Sequence, residues 1–191
     1  MSGGESYPMS LRDAIRKCSP DIRIINTYGP TEITVSCNAA DLTHADYVTV
    51  GRPLLNYHEI IVDKFGDPAP YGVIGELYIG GIGVAKGYRN LPEKTAEAFV
   101  EYDNERMYRS GDYAKWDMHG NVHILGRLDN QVKLRGLRIE LGEIQGLIAA
   151  QPHIRKAEVV IRKLNGQDNL CAYFTADAEI NVDELRGELK K

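Results

Sequence analysis

The sequence is short of cysteine, of aromatics other than tyrosine, and of long apolar runs. Cys18, Cys37 and Cys171 are odd in number and far apart. They form neither a metal-ligand spacing nor a disulfide framework, and the expectation is a reducing, cytoplasmic compartment. No apolar run approaches the ~18 residues of a membrane span. The N-terminus lacks the basic and apolar segments of a secretory leader. Positive charge is also in deficit. A net charge of −4, with no basic face interleaved with aromatics, argues against a nucleic-acid partner. No repeat or low-complexity tract occurs. What is present is 43% hydrophobic residues in 191, enough for a buried core in one domain or two small ones.

Patterning divides the chain. Ser10 is a candidate cap for a short helix, Leu11 to Cys18, with Asp13 near its positive end. "DIRII" reads as a strand running into "NTYGPTE". From Tyr47 to Leu125, short alternating runs lie between turn signals, which predicts an antiparallel meander or small barrel. One helix interrupts it, with Pro92 in its first turn and Ala96 and Phe99 on one face. The pattern shifts again near Asp129. "QVKLRG" and "LRIE" read as a hairpin, and "LGEIQGLIAAQ" as a helix with Leu141, Ile144, Leu147 and Ile148 on one side. Two strands then meet at Asn165-Gly166. A last helix has Asn181 as cap, Glu184 completing a capping box, and Val182, Leu185 and Leu189 on its apolar face. The fold class is α+β, with a β-rich part over 1–128 and a small α+β part over 129–191.

Three stretches can carry chemistry. In "TYGPTE", Pro30 fixes φ and Gly29 frees it, so the chain bends just past a strand. Tyr28 can stack on a flat ring, Thr31 can touch a phosphate oxygen, and Glu32 can help hold a hard cation such as Mg²⁺. A tight turn with a buried tyrosine and a capping threonine explains the same letters. In "YRSGD", Asp112 follows Gly111 at a strand end, and its two oxygens suit a ribose diol; an ordinary turn is the alternative. In "GRLDNQVKLRG", Arg127 offers a planar fork for phosphate or ribose, and Lys133, Arg135 and Arg138 add positive charge. A solvated hairpin is the alternative there. "YIGGIGVAKGY" matches neither the Walker nor the dinucleotide glycine pattern, so its glycines read as close packing in sheet. His119 and His123 lie on a turn and a strand, which disfavours zinc.

"NTYGPTE", "GELYIGGIGVAKGYRNLPEKTAEAF", "YRSGD" and "GRLDNQVKLRGLRIELGEI", in that order, resemble the adenylation domains of nonribosomal peptide synthetases (NRPS). These belong to the adenylate-forming, AMP-binding superfamily with acyl-CoA ligases and luciferases. "SGGE" also resembles the glycine turn that precedes the "YGPTE" strand in them. The resemblance implies ATP-dependent activation of an amino acid as aminoacyl-AMP. The aminoacyl group then passes to the phosphopantetheine thiol of a peptidyl carrier protein. By motif position it implies that Tyr28 packs on adenine, with Asn26 and Gly29 beside it on the nucleotide side. Thr31 contacts phosphate, Glu32 helps hold Mg²⁺, Asp112 binds the ribose hydroxyls, and Arg127 assists at ribose or phosphate. Thr27, Val35 and Ser36, with Gly3, match the side-chain pocket of the amino acid. Asp129 is the implied hinge, and Gly136, with Lys133, approaches the pantetheine arm.

Intact members of that family are far longer. The upstream core with its phosphate loop, the aspartate for the substrate amino group and a "GK" lysine are not found in this sequence. Lys190 and Lys191 read as helical and do not stand in for that lysine. The expectations are a C-terminal piece of such a domain, inactive alone, that needs the upstream core. Self-association is expected through an exposed "DIRII" edge. The alternatives are an acyl-CoA or D-alanine–carrier protein ligase and, from another class, a non-catalytic module that binds a carrier protein or other partner.

Overall fold

A computed structural model describes residues 2–4, 7–128, 131–134 and 137–189, without the side chains of Ser2, Lys133 and Arg138. The chain forms two compact units, residues 1–128 and 129–191. Among the described residues, no helix is long and apolar enough to cross a membrane.

In the first unit, β1 (Ser2–Gly3) and α1 (Met9–Cys18) precede β2 (Ile25–Tyr28). A 3-10 turn, Thr31–Ile33, leads to β3 (Asn38–Asp41) and β4 (Arg52–Pro53). These strands form a sheet in the order β1-β2-β3-β4, parallel at β1/β2 and antiparallel elsewhere. Next come β5 (Tyr57–Val62), β6 (Gly75–Gly81), α2 (Pro92–Ala98), β7 (Phe99–Tyr102), β8 (Glu105–Trp116) and β9 (Val122–Arg127). The second sheet is antiparallel, in the order β5-β6-β8-β7, with β9 also paired to β8. It is open, so the meander expectation holds and the closed barrel does not.

The apolar core of this unit lies between the second sheet and the turn after β2. Ile61, Leu77, Ile79, Tyr108, Ala114 and Val122 meet Ile33 and Cys37 there. A smaller cluster, Tyr7, Ile24, Ala40 and Leu42, packs with Ile15 of α1.

Several expectations shift. Ser10 does not cap α1. The helix starts at Met9 after Pro8, whose ring presets the backbone, and no side chain bonds the first turn. The "DIRII" strand moves to Ile25–Tyr28: Ile24 is buried just before β2, and within β2 the buried residues are the polar Asn26 and Thr27. β2 is interior to its sheet, which removes the exposed-edge reason for self-association. Phe99 opens β7 instead of closing α2.

In the second unit, β10 (Gln131–Leu134) and β11 (Leu137–Glu140) pair as the expected hairpin. Then come α3 (Leu141–Ala149), β12 (Ile154–Leu164), β13 (Gln167–Ala176) and α4 (Val182–Glu188). β12 and β13 pair through the Asn165-Gly166 turn, both of whose residues have positive φ. Leu141, Ile148, Ile154 and Val159 form the core, with Ile144, Leu185 and Leu189 against it. Leu147 and Val182 face solvent instead. Asn181 caps α4 by accepting from the backbone N–H groups of Asp183 and Glu184. Glu184 bonds back to the Asn181 side-chain amide, not to its backbone.

Candidate functional site

β2 ends in a tightly folded turn. Its return leg is tied at once, with Cys37 N donating to Tyr28 O at 2.9 Å. A Cβ on Gly29 would lie 2.5 Å from Ser36 Cα and 2.6 Å from Val35 O, so only glycine lets the two legs pass. Thr34 and Val35 both adopt positive φ, 59° and 77°. For β-branched residues that is a strained state, which persists only where surroundings enforce it. Here Thr34 Oγ1 donates to Gly83 O at 2.9 Å, and Tyr57 Oη donates to Ile33 O at 3.1 Å.

Asp112 lies within β8, not at a strand end. Between the pairs Glu76↔Tyr113 and Tyr78↔Arg109, β8 carries extra residues, and Gly111 takes φ 70°. Such a bulge re-aims a side chain. The Ser110 hydroxyl accepts from Asp112 N at 3.0 Å and fixes the bulge. Asp112, only 7% exposed, meets residues from two other strands. Tyr28 Oη donates to its Oδ2. Arg127 Nη1, in the register position opposite Asp112 on β9, donates to Oδ1 at 3.2 Å and to Ser110 O at 2.8 Å. Burial, then the neighbouring Asp112 carboxylate, pushes the Tyr28 phenol well above its ordinary value, so it stays a donor.

Glu32, on the 3-10 turn, is also 7% exposed. Tyr88 Oη donates to its Oε1 at 2.6 Å, and its backbone O accepts from Ala85 N at 2.8 Å. Thr31 beside it is exposed. Asn26 is buried, and its Nδ2 donates to Thr49 O at 2.9 Å, so this amide braces the strand. Gly3 pairs with Thr27 across β1/β2, and a Cβ there would meet Thr27 Oγ1 at 2.5 Å. Val35 is 78% exposed and Ser36 is half-buried. Thus Tyr28, Asp112 and Arg127 are joined by hydrogen bonds, and Thr31 and Glu32 follow Tyr28 by one bend. Asp129 and Gly136 lie outside the described residues, as does the side chain of Lys133.

A model of the family described as AMP-binding enzyme matches residues 1–89. Surfactin synthase subunit 2 of Bacillus subtilis (strain 168) is 43% identical over 195 residues, covering 99% of this chain and 5% of that protein. A Vibrio cholerae adenylation domain in complex with glycyl-adenosine-5'-phosphate superposes with TM-score 0.89 at 28% identity, over 98% of this chain and 38% of that one. An NRPS protein containing adenylation and PCP domains, bound to a vinylsulfonamide inhibitor, has TM-score 0.85 at 30% identity, over 96% of this chain and 33% of that one. The chain is thus similar to AMP-binding enzymes, by family model over residues 1–89 and by relatives over nearly its whole length. It spans a small part of the length of the synthase that it matches.

Motif reading missed the residues that hold the motif residues. Tyr88, in the segment that follows β6, donates to Glu32, and Arg106 on β8 holds that segment through Ala85 O and Lys86 O. Of the glycines of "YIGGIGVAKGY", Gly83 lies against Ile33 O of the turn, Gly80 and Gly81 lie against residues 56–58, and Gly87 lies against Thr95. The "KGY" tyrosine was visible in the sequence, but nothing local assigns it a partner 56 positions away. A second missed group lies beneath the turn. Glu59 Oε2 accepts from Asn38 Nδ2 at 3.0 Å, and Cys37 Sγ approaches Glu59 Oε1 at 3.8 Å. Burial pushes the Glu59 carboxyl up to about 7, against the bonds from Asn38 and Cys37 that lower it. The Cys37 thiol is pushed up by burial and then by Glu59, which marks it as structural. His123 Nε2 donates to Asp117 Oδ2 at 3.0 Å, and the ring stacks on Tyr47; among the described residues no cluster suits a metal.

Proposed function

We propose that this chain carries the nucleotide-facing part and the small C-terminal unit of an enzyme that activates an amino acid with ATP and loads a carrier protein. The substrate carboxylate attacks the α-phosphorus, the bond to pyrophosphate breaks, and aminoacyl-AMP forms. The aminoacyl group then passes to a phosphopantetheine thiol, and AMP leaves. The observation that carries the reading is the hydrogen-bonded set Tyr28–Asp112–Arg127 joined to a turn that bears a buried carboxylate.

Each residue has a part in it. Asp112 already accepts from Tyr28 and Arg127, and a carboxylate has about four lone-pair sites, so acceptor capacity remains for ribose hydroxyls. Tyr28 supports the base from the strand end. Arg127 orients Asp112 and adds positive charge near the phosphates. Thr31, exposed on the turn, offers its hydroxyl to a phosphate oxygen. One carboxylate, Glu32, fits Mg²⁺, which keeps most of its waters and takes its other ligands from substrate phosphates. When bound, that ion neutralises phosphate charge. Gly3, Thr27, Val35 and Ser36 line the amino-acid side of the turn. Asp129 is read as the hinge, with Lys133 and Gly136 beside the pantetheine arm. Support for the amino acid and the carrier comes from the relatives: one structural neighbour is in complex with glycyl-adenosine-5'-phosphate and another contains a PCP domain.

The test is calorimetric titration of AMP, and of ATP with Mg²⁺, into the 191-residue chain and its Asp112→Ala and Asp112→Asn variants. The expected result is saturable binding of both nucleotides, weakened about tenfold or more in each variant, as for loss of hydrogen bonds to a charged group. Fluorescence of Trp116, the single tryptophan, checks that the variants fold. Binding unchanged in folded variants, or no binding by the unsubstituted chain, overturns the reading.

A further inference from the structure

The segment between β6 and α2 is fastened to the Glu32 turn by three hydrogen bonds, linking three of its residues to Thr34 and Glu32. Thr34 Oγ1 donates to Gly83 O at 2.9 Å, Ala85 N donates to Glu32 O at 2.8 Å, and Tyr88 Oη donates to Glu32 Oε1 at 2.6 Å. The first two bonds hold backbone to turn. The third acts on the Glu32 carboxylate itself.

Tyr88 is itself held on several sides. Its ring meets Phe99 edge-on at 5.6 Å. Its backbone N–H donates to Thr95 Oγ1 at 2.9 Å. The residue before it, Gly87, has φ 136°, and a Cβ there would lie 2.3 Å from Thr95 Cγ2, so the approach to Tyr88 requires glycine. From the far side, Arg106 Nη1 donates to Ala85 O at 2.6 Å and Nη2 to Lys86 O at 2.9 Å. Its guanidinium stacks on the same Phe99, 4.6 Å from the ring centre.

A core tyrosine kept only for its ring has no need of this arrangement. A buried carboxylate needs donors, and the direction of the donor sets the direction of the carboxylate. We propose that Tyr88 is a positioning residue that fixes the rotation of the Glu32 carboxylate for a divalent cation, with Arg106 holding the segment that carries it. This rests on the reading of Glu32 as the Mg²⁺-facing group. It predicts a specific defect: loss of the Tyr88 hydroxyl weakens the metal-dependent part of ATP binding and spares AMP binding, which needs no metal.

The experiment measures ATP binding to the full 191-residue chain by calorimetry as Mg²⁺ is raised, and AMP binding without Mg²⁺. The variants are Tyr88→Phe, Arg106→Met and Glu32→Gln. In Tyr88→Phe the Mg²⁺ concentration for half-maximal ATP binding should rise about tenfold, the usual effect of losing a hydrogen bond to a charged group. The AMP Kd should stay within about twofold. Arg106→Met keeps the hydroxyl, so it should move the Mg²⁺ midpoint the same way by a smaller factor; it also serves if Tyr88→Phe does not fold. If Glu32→Gln shifts the Mg²⁺ midpoint and Tyr88→Phe does not, the positioning role is overturned while the Glu32 reading stands. If Tyr88→Phe weakens AMP and ATP equally, the residue is structural and the proposal fails. If the unsubstituted chain shows no Mg²⁺ dependence, or Glu32→Gln leaves it intact, the Glu32 reading fails and this inference with it.

Discussion

The two units solve the folding problem with different materials. Residues 1–128 bury Asn26, Thr27, Glu32, Asn38, Thr49, Ser110 and Asp112. Among the described residues of 129–191, Gln131 is the only polar side chain buried to that degree. A buried polar group costs stability unless its partner is in place, so it fixes direction as much as it holds the fold. The first unit spends regularity on direction: a bulge at Gly111, two positive-φ β-branched residues and a glycine crossing, all beside the carboxylates. The second unit relies on an apolar cluster, a hairpin turn and a helix cap. Sensitivity to substitution should therefore differ in kind between them.

The largest expected effect is Gly29→Ala. Its Cβ would press on Ser36 Cα at 2.5 Å and Val35 O at 2.6 Å, both backbone, with no flexible side chain to yield. Overpacking of this kind costs about 3 kcal/mol at the upper end of its usual range. Denaturant unfolding followed by Trp116 fluorescence reads this unit alone, and a loss below about 1 kcal/mol would mean that the turn is not the rigid part of the unit.

Next in size is a pH effect at Glu59. Its carboxyl titrates at about 7 in the fold against 4.5 when free, because burial disfavours the charge. Below 4.5 both states are protonated and nothing is lost. As pH rises, the unfolded chain gives up its proton first, so stability falls up to about 7 and is flat above that. Glu59→Gln removes this loss. Its stability relative to the parent should climb through that window by up to about 3 kcal/mol. A difference independent of pH would show that Glu59 does not titrate in the fold.

The same contrast explains what was legible in the sequence. The second unit was read nearly whole: periodicity gave α3, Asn165-Gly166 gave the β12/β13 hairpin, and Asn181 gave the cap of α4. Its errors were at the rim, with Leu147 and Val182 exposed, because helical spacing specifies a face but not its width. In the first unit β2 was misplaced, since polar Asn26 and Thr27 fill positions that hydrophobic patterning assigns to apolar residues. Asp112 was singled out but set at a strand end, because the bulge that aims it depends on register with β6. The partners of the site residues were not legible. Tyr88 to Glu32 and Tyr28 to Asp112 span 56 and 84 positions, and no local rule reaches that far.

Replacement of the cap, Asn181→Ala, should cost about 1 kcal/mol, because two backbone N–H groups lose their acceptor. Amide exchange in α4 reads this directly. No pH dependence comparable to that of Glu59 should accompany it.

The smallest expected effect has the opposite sign. Gly146 sits inside α3, and a Cβ added there meets nothing within 4 Å. Its φ is not positive, so alanine takes the same backbone without strain. Alanine also has fewer unfolded conformations to lose, and Gly146→Ala should stabilise the second unit by about 0.5–1 kcal/mol. Slower amide exchange through α3 is the measure. The same chemical change, one added methyl, thus destabilises at Gly29 and stabilises at Gly146. If Gly146→Ala were destabilising, something outside residues 129–191 would have to occupy that face of α3. The second unit would then be as constrained in direction as the first.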